Sequence, residues 1–207
     1  MTWIRIAWRN LWRQKTRSAV VLTAMALGLA GGIVCLSLFT GMSDTRIHAG
    51  IATETGHVQI HHPDFLQQGE ITQTFSGSRV SAALQARDAS AALSLQLSLR
   101  GMAASAHKTI GAEIRGVEAD AFGQVSDLPQ KIIKGQFFDG KKNRAVIGQR
   151  LADKLGLRLK QKLVLTFTDN RGNLTGGAFK IVGLFQTSNS RFDEGHILVQ
   201  VADLRRL

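Results

Sequence analysis

The chain has 207 residues, of which 44% are hydrophobic, enough for one sizeable core or two small ones. Its formal charge of +11 invites a nucleic-acid reading. Five of those charges precede residue 18, however, and the other +6 is dispersed over 190 residues with only two doublets, Lys141-Lys142 and Arg205-Arg206, which argues for a solvated basic face, or for anionic lipid headgroups, and against nucleic acid.

From Ser18 to Ser43 the sequence runs for 26 residues without a charge. As a helix this is about 39 Å at ~1.5 Å per residue, against a hydrocarbon core of about 30 Å. Residues such as Val20, Val21, Leu22, Leu27, Leu29, Ile33 and Phe39 favour insertion by roughly 0.3–0.6 kcal/mol each at mid-helix. The run predicts a transmembrane helix over 18–43. A cleaved signal peptide has a shorter apolar core, and the one tidy small-residue triplet, Ala24-Met25-Ala26, lies too early for cleavage.

Arg5, Arg9, Arg13, Lys15 and Arg17 precede the run and no acid does, so the N-terminus is expected in the cytoplasm and residues 44–207 outside it. Within residues 1–17, Ile4, Trp8 and Leu11 follow helical spacing beside Trp12, and Arg5, Arg9 and Arg13 form an adjacent stripe. This predicts an amphipathic helix in the plane of the headgroups, with Trp3, Trp8 and Trp12 as interface anchors and the arginines on phosphate. Inside the span, Ala24, Gly28 and Gly32 stand four residues apart, a flat strip on which another membrane helix can pack. Cys35, the single cysteine, also falls in the span, so the exported domain has no disulfides and depends on core burial.

After a helical stalk over 45–55, Gly56 to His61 alternates as a strand and stops at His62-Pro63. His57 and His61 would share a strand face, but His62 would point away and no third ligand is near, so no metal site is expected. The stretch 76–106 is rich in Ser, Ala and Gln and allows two lobes divided around it. Val80, Leu84 and Ala91 fit a helix, and Leu93, Leu95, Leu97 and Leu99 alternate as a strand. Strands follow over 113–117, around Ile132-Ile133 and at Ala145-Val146-Ile147, with a short turn or helix over 119–125. A helix over 149–155 is closed by Gly156. Leu163, Leu165 and Phe167 line a strand that turns at 169–173 and returns over 179–185 as a hairpin. Ile197, Val199 and Val201 make the last strand. The sum is an α+β class protein: one N-terminal transmembrane helix with a mixed α+β extracytoplasmic domain.

Little chemistry is visible. Gly135 to Lys142 nearly spells a P-loop, but Lys142 stands where a magnesium-binding hydroxyl is needed and Phe137 and Phe138 fill the loop, so a surface turn is expected. Asp193, Glu194 and His196 are the only compact acid-plus-imidazole group, and read as exposed turn residues ahead of a strand. Asn173-Leu174-Thr175 matches a glycosylation acceptor with nothing else to support a secretory route. Neither a catalytic site nor a cofactor is expected.

The order of motifs resembles an ABC transporter permease of the MacB/FtsX/LolC-LolE superfamily. The resemblance is carried by Ile6-Ala7-Trp8-Arg9-Asn10-Leu11-Trp12-Arg13 ahead of the span and Gly56-His57-Val58-Gln59-Ile60-His61-His62-Pro63 after it. It continues through Gly116-Val117-Glu118, Ile133-Lys134-Gly135-Gln136-Phe137, Val146-Ile147-Gly148-Gln149-Arg150-Leu151-Ala152 and Val182-Gly183-Leu184-Phe185. It implies a permease subunit of the bacterial inner membrane with a MacB-like periplasmic domain. A separate cytoplasmic ABC ATPase hydrolyses ATP, and a lipophilic cargo such as a lipoprotein is handled outside. An FtsX-like regulatory or scaffold subunit without transport is the alternative. Such permeases carry three further membrane helices beyond the periplasmic domain. Further permease helices, or a second permease subunit, are therefore expected as partners, and this stretch alone should not transport: it would be a fragment or half of a split permease. The loop 168–178 is shorter than the hooked hairpin with which lipoprotein-releasing members dock a soluble carrier, and Lys160-Gln161-Lys162 stands where a Gly-Asp turn is common.

Overall fold

A computed structural model describes residues 2–63, 75–88, 90–169 and 171–207. The chain divides into two compact units, Met1–His48 and Ala49–Leu207.

In the first unit, α1 (Thr2–Arg13) is followed by α2, which runs from Lys15 to Gly50. This helix is long and apolar enough to cross a membrane. Its hydroxyls do not waste that apolarity: Thr23, Thr40 and Thr45 each donate to the carbonyl four residues back, on Ala19, Leu36 and Gly41. A π-helical turn, Ile51–Thr55, continues α2.

The second unit is built on strands β1 (Leu97–Ala104), β2 (Thr109–Val117), β3 (Ile132–Gly135), β4 (Arg144–Gly148), β5 (Lys162–Thr168), β6 (Leu174–Phe185) and β7 (His196–Gln200). Short helices lie between them: α3 (Gly77–Arg87), α4 (Ala119–Val125), a 3-10 turn at Leu128–Lys131, α5 (Gln149–Leu155), α6 (Ser190–Gly195) and α7 (Val201–Leu204). The sheet order is β3-β6-β4-β7-β2-β1-β5, and β6 pairs with β5 as well. One half of β6 joins β5 and the other joins β4 and β3, so six strands close into a ring with β3 added outside it. Closure removes most of the free strand edge. β2–β7 and β4–β6 are parallel; the other pairs are antiparallel.

Strand alternation sorts the apolar side chains into two cores. Ile114, Ala145, Ile147, Leu163, Leu165, Ile181, Ile197 and Val199 point to one face, where α5 adds Leu151, Ala152 and Leu155. Val117, Val146, Phe185 and Leu198 point to the other and are covered by Phe122, Leu128 and Phe192. Each fully buried large side chain contributes roughly 1.5–3 kcal/mol. Gly156 ends α5 in the left-handed region at φ 68° and ψ 28°, donating to the carbonyls of Ala152 and Asp153, as its position predicts.

Four expectations are corrected. Gly56 to His61 is not a strand: it pairs with no described strand, Val58 is 82% exposed, and Gln59 bonds back to the Thr55 carbonyl. The alternating leucines begin to pair only at Leu97, so Leu93 and Leu95 precede the strand. Val201 opens α7 instead of ending β7. Residues 76–106 do not divide the domain into lobes, because β1 hydrogen-bonds to both β2 and β5 within one compact unit.

Candidate functional site

The densest polar arrangement lies where the π-helical turn meets the domain. Thr53 is 3% exposed, and its hydroxyl donates to Asp127 Oδ1 at 2.9 Å while accepting from Lys131 Nζ. Lys131 also pairs with Asp127 Oδ2 at 3.0 Å. Ser126 Oγ donates to the Thr53 carbonyl at 3.0 Å, and the Asp127 amide donates to the Ala52 carbonyl at 3.0 Å. The terminal carbonyls of a helix have no partner of their own, and here they are taken up by the loop ahead of the 3-10 turn.

Glu54 is held on the other side. Its carbonyl accepts from Arg115 Nη1 at 3.0 Å, and its carboxylate accepts from Asn189 Nδ2 at 2.8 Å. The parallel β2–β7 register sets Glu113 directly beside His196, and Arg115 follows on the same face. Arg115 Nε donates to Glu113 Oε1 at 2.8 Å. His196 Nδ1 lies 3.0 Å from the Phe192 carbonyl, which only accepts, so this nitrogen carries a proton. His196 Nε2 then stands 3.4 Å from both Arg115 Nη2 and Glu113 Oε2. The imidazole stacks on Phe192 at 4.0 Å, and the Arg115 guanidinium lies 5.6 Å from the same ring. The His196 hydrogen bond and the Arg115 charge hold Glu113 well below the usual carboxylate range, against the opposing effect of burial. This is a mechanical fixture: Glu113 and Asp127 each face a cation, Arg115 and Lys131, and the Glu54 carboxylate is held by the Asn189 amide.

The residues expected to carry function lie elsewhere. Ala24, Gly28 and Gly32 are exposed on α2, and a Cβ added at Gly28 or Gly32 would meet nothing within 4 Å. Trp3, Trp8, Trp12, Arg5, Arg9 and Arg13 are exposed on α1; the Trp8 and Trp12 rings are 6.4 Å apart and Lys15 Nζ lies 5.5 Å from the Trp12 ring. Asp193 is not an exposed turn residue. It is buried and accepts from the amide and hydroxyl of Thr187, and burial pushes its carboxyl up. Glu194 turns to Lys154 at 2.9 Å and His196 to Glu113, so the three do not converge. The P-loop-like stretch leads into β4 and not into a helix, and Phe137 lies against Phe122 at 5.9 Å. Among the described residues, no three His, Cys, Asp or Glu side chains group as metal ligands.

Sequence reasoning missed the fixture around Thr53 and Glu54. One signal was present: Asn189 caps α6, accepting from the Arg191 and Phe192 amides, and asparagine is a favoured helix cap. Pairing between Glu54, Arg115 and Asn189 left no trace in local spacing.

One apolar helix of membrane-crossing length, followed by a mixed α+β domain, defines the class of the chain. Residues 18–207 match the MacB-like periplasmic core domain family, and the chain belongs to it, as the motif order implied. Among solved structures, the extracellular domain of the noncanonic ABC-type transporter YknZ from Gram-positive bacteria is similar at a TM-score of 0.49 and 14% identity, over 71% of this chain and 73% of that one. No curated protein matches the sequence.

Proposed function

We propose that the chain is a permease (membrane) subunit of an ABC transporter, working with a cytoplasmic ABC ATPase in the periplasmic handling or export of a lipophilic cargo such as a lipoprotein. The observation that carries this reading is the match of residues 18–207 to the MacB-like family together with a helix, α2, of membrane-crossing length. In this reading residues 1–17 lie on the cytoplasmic face, 18–43 cross the inner membrane and 44–207 stand in the periplasm, as the basic N-terminal flank favours. The Ala24, Gly28, Gly32 strip receives a helix from further permease segments or a second subunit. Trp3, Trp8 and Trp12 with Arg5, Arg9 and Arg13 keep α1 at the headgroups of anionic lipid. ATP hydrolysis belongs to the partner.

Purification in a gentle detergent from cells that carry the native locus tests the proposal. Recovery of an ATPase bearing a true P-loop, together with further membrane helices, is the expected result. A monomer free of both under the same conditions overturns it. Replacing 18–43 by an unrelated span separates transport from an FtsX-like regulatory role, since only the latter survives the exchange.

A further inference from the structure

The six-strand ring is unevenly clad. Its outer face over β2, β7, β4 and the end of β6 is covered by Phe122, Leu128 and Phe192. Over β1, β5 and the first half of β6, nothing among the described residues covers it. There the register sets Met102, Thr166 and Gly176 in one row and Ala104, Val164 and Ala178 in the next. Met102 is 48% and Val164 45% exposed. The row after that is Lys162 directly opposite Lys180.

Like charges facing each other across an antiparallel pair oppose its formation. Neither lysine ammonium has an acid or hydrogen-bond partner among the described residues, nor does Arg100, which lies on the same face two residues before Met102. The acid nearest Arg100 in register, Glu113, is turned to Arg115 and His196. The hairpin therefore keeps a repulsive pair beside an exposed apolar strip, where local stability gives no reason for one.

We propose that this face is a docking surface for a partner protein that presents carboxylates around an apolar strip. Directly paired strand residues have Cβ atoms about 4.5–5.5 Å apart, so one carboxylate can accept from both lysines and turn the repulsion into two ion pairs. Met102 and Val164 supply the desolvated centre, and Gly111 and Gly176 beside them keep the face flat. A second copy docking face to face would set lysines against lysines. A lipid surface is disfavoured because these rows hold no aromatic anchor. The proposal goes beyond the transport reading and does not depend on it.

The test uses the full chain in phosphatidylcholine nanodiscs, with methyl-labelled methionine. Met102 is the only methionine in the second unit, so its methyl signal reports on this face alone. The probe is a peptide alternating glutamate with valine, compared with one alternating lysine with valine. Saturable shifts of the Met102 signal by the acidic peptide alone are expected, weakened about tenfold or more in Lys162→Glu/Lys180→Glu and by raised salt. The single variant Lys162→Glu, which puts opposite charges across the pair, is expected to raise Tm, and so shows that lost binding is not lost folding. Three results overturn the proposal: equal response to both peptides or to the double variant, a Met102 shift that follows added phosphatidylglycerol instead, or one that follows protein concentration.

Discussion

The Thr53 hydroxyl donates to Asp127 Oδ1 at 2.9 Å across 74 residues of sequence, fixing the π-helical turn to the loop ahead of β3. Thr53→Val keeps the shape and removes the hydroxyl, leaving a half-buried Asp127 carboxylate oxygen and Lys131 Nζ each short of one partner. A loss of about 1–3 kcal/mol is expected in urea unfolding followed by circular dichroism. Thr53→Ser should restore most of it.

Acid should weaken the fixture through Glu113. Its folded value is depressed, so its contribution is fully present above the unfolded carboxylate value of about 4.3 and fades as pH falls through the lower folded value. The stability gap between the wild type and Glu113→Gln is therefore expected to narrow below about pH 4.3, read from urea midpoints across pH.

Gly148 sits where a Cβ would lie 2.0 Å from the Asp193 carbonyl oxygen. No rotamer relieves a clash with backbone, so Gly148→Ala should cost about 3 kcal/mol or more and lower Tm accordingly.

Lys160 holds φ 70°, a conformation that costs a side-chain-bearing residue about 1 kcal/mol or more and glycine little. Its amide donates to the Ile181 carbonyl at 2.8 Å, so the geometry is fixed. Lys160→Gly is expected to stabilise the domain by up to about 1 kcal/mol in thermal unfolding, and Lys160→Val to destabilise it.

The three tryptophans of the chain all lie on α1, so intrinsic fluorescence reports on that helix alone. In vesicles containing phosphatidylglycerol, lipid-borne quenchers placed near the headgroups should quench more strongly than those at the acyl ends. Arg5→Glu/Arg9→Glu should reduce that quenching; equal quenching at all depths would remove the interface role.

Much of the fold is legible in residues close together in sequence. The uncharged run 18–43, the hairpin around 169–173, the cap at Gly156 and the buried alternation of Leu163, Leu165 and Phe167 all follow from local rules. Those rules misled at Gly56 to His61, where alternation is present but no described strand pairs with it. They also misled at Asp193, a polar turn residue that its surroundings bury.

By itself, then, the sequence determined a membrane-length helix, an α+β domain held without disulfides, and the motif order of its family, because periodicity, charge and turn residues act over a few neighbours. Only the tertiary structure decided the ring closed through β6, the Thr53–Asp127 and Glu54–Arg115 contacts, and the facing of Lys162 and Lys180 across the β5–β6 pair of that ring. Strand register and the docking of a helix end are fixed by partners distant along the chain, and no local pattern encodes which partner that is.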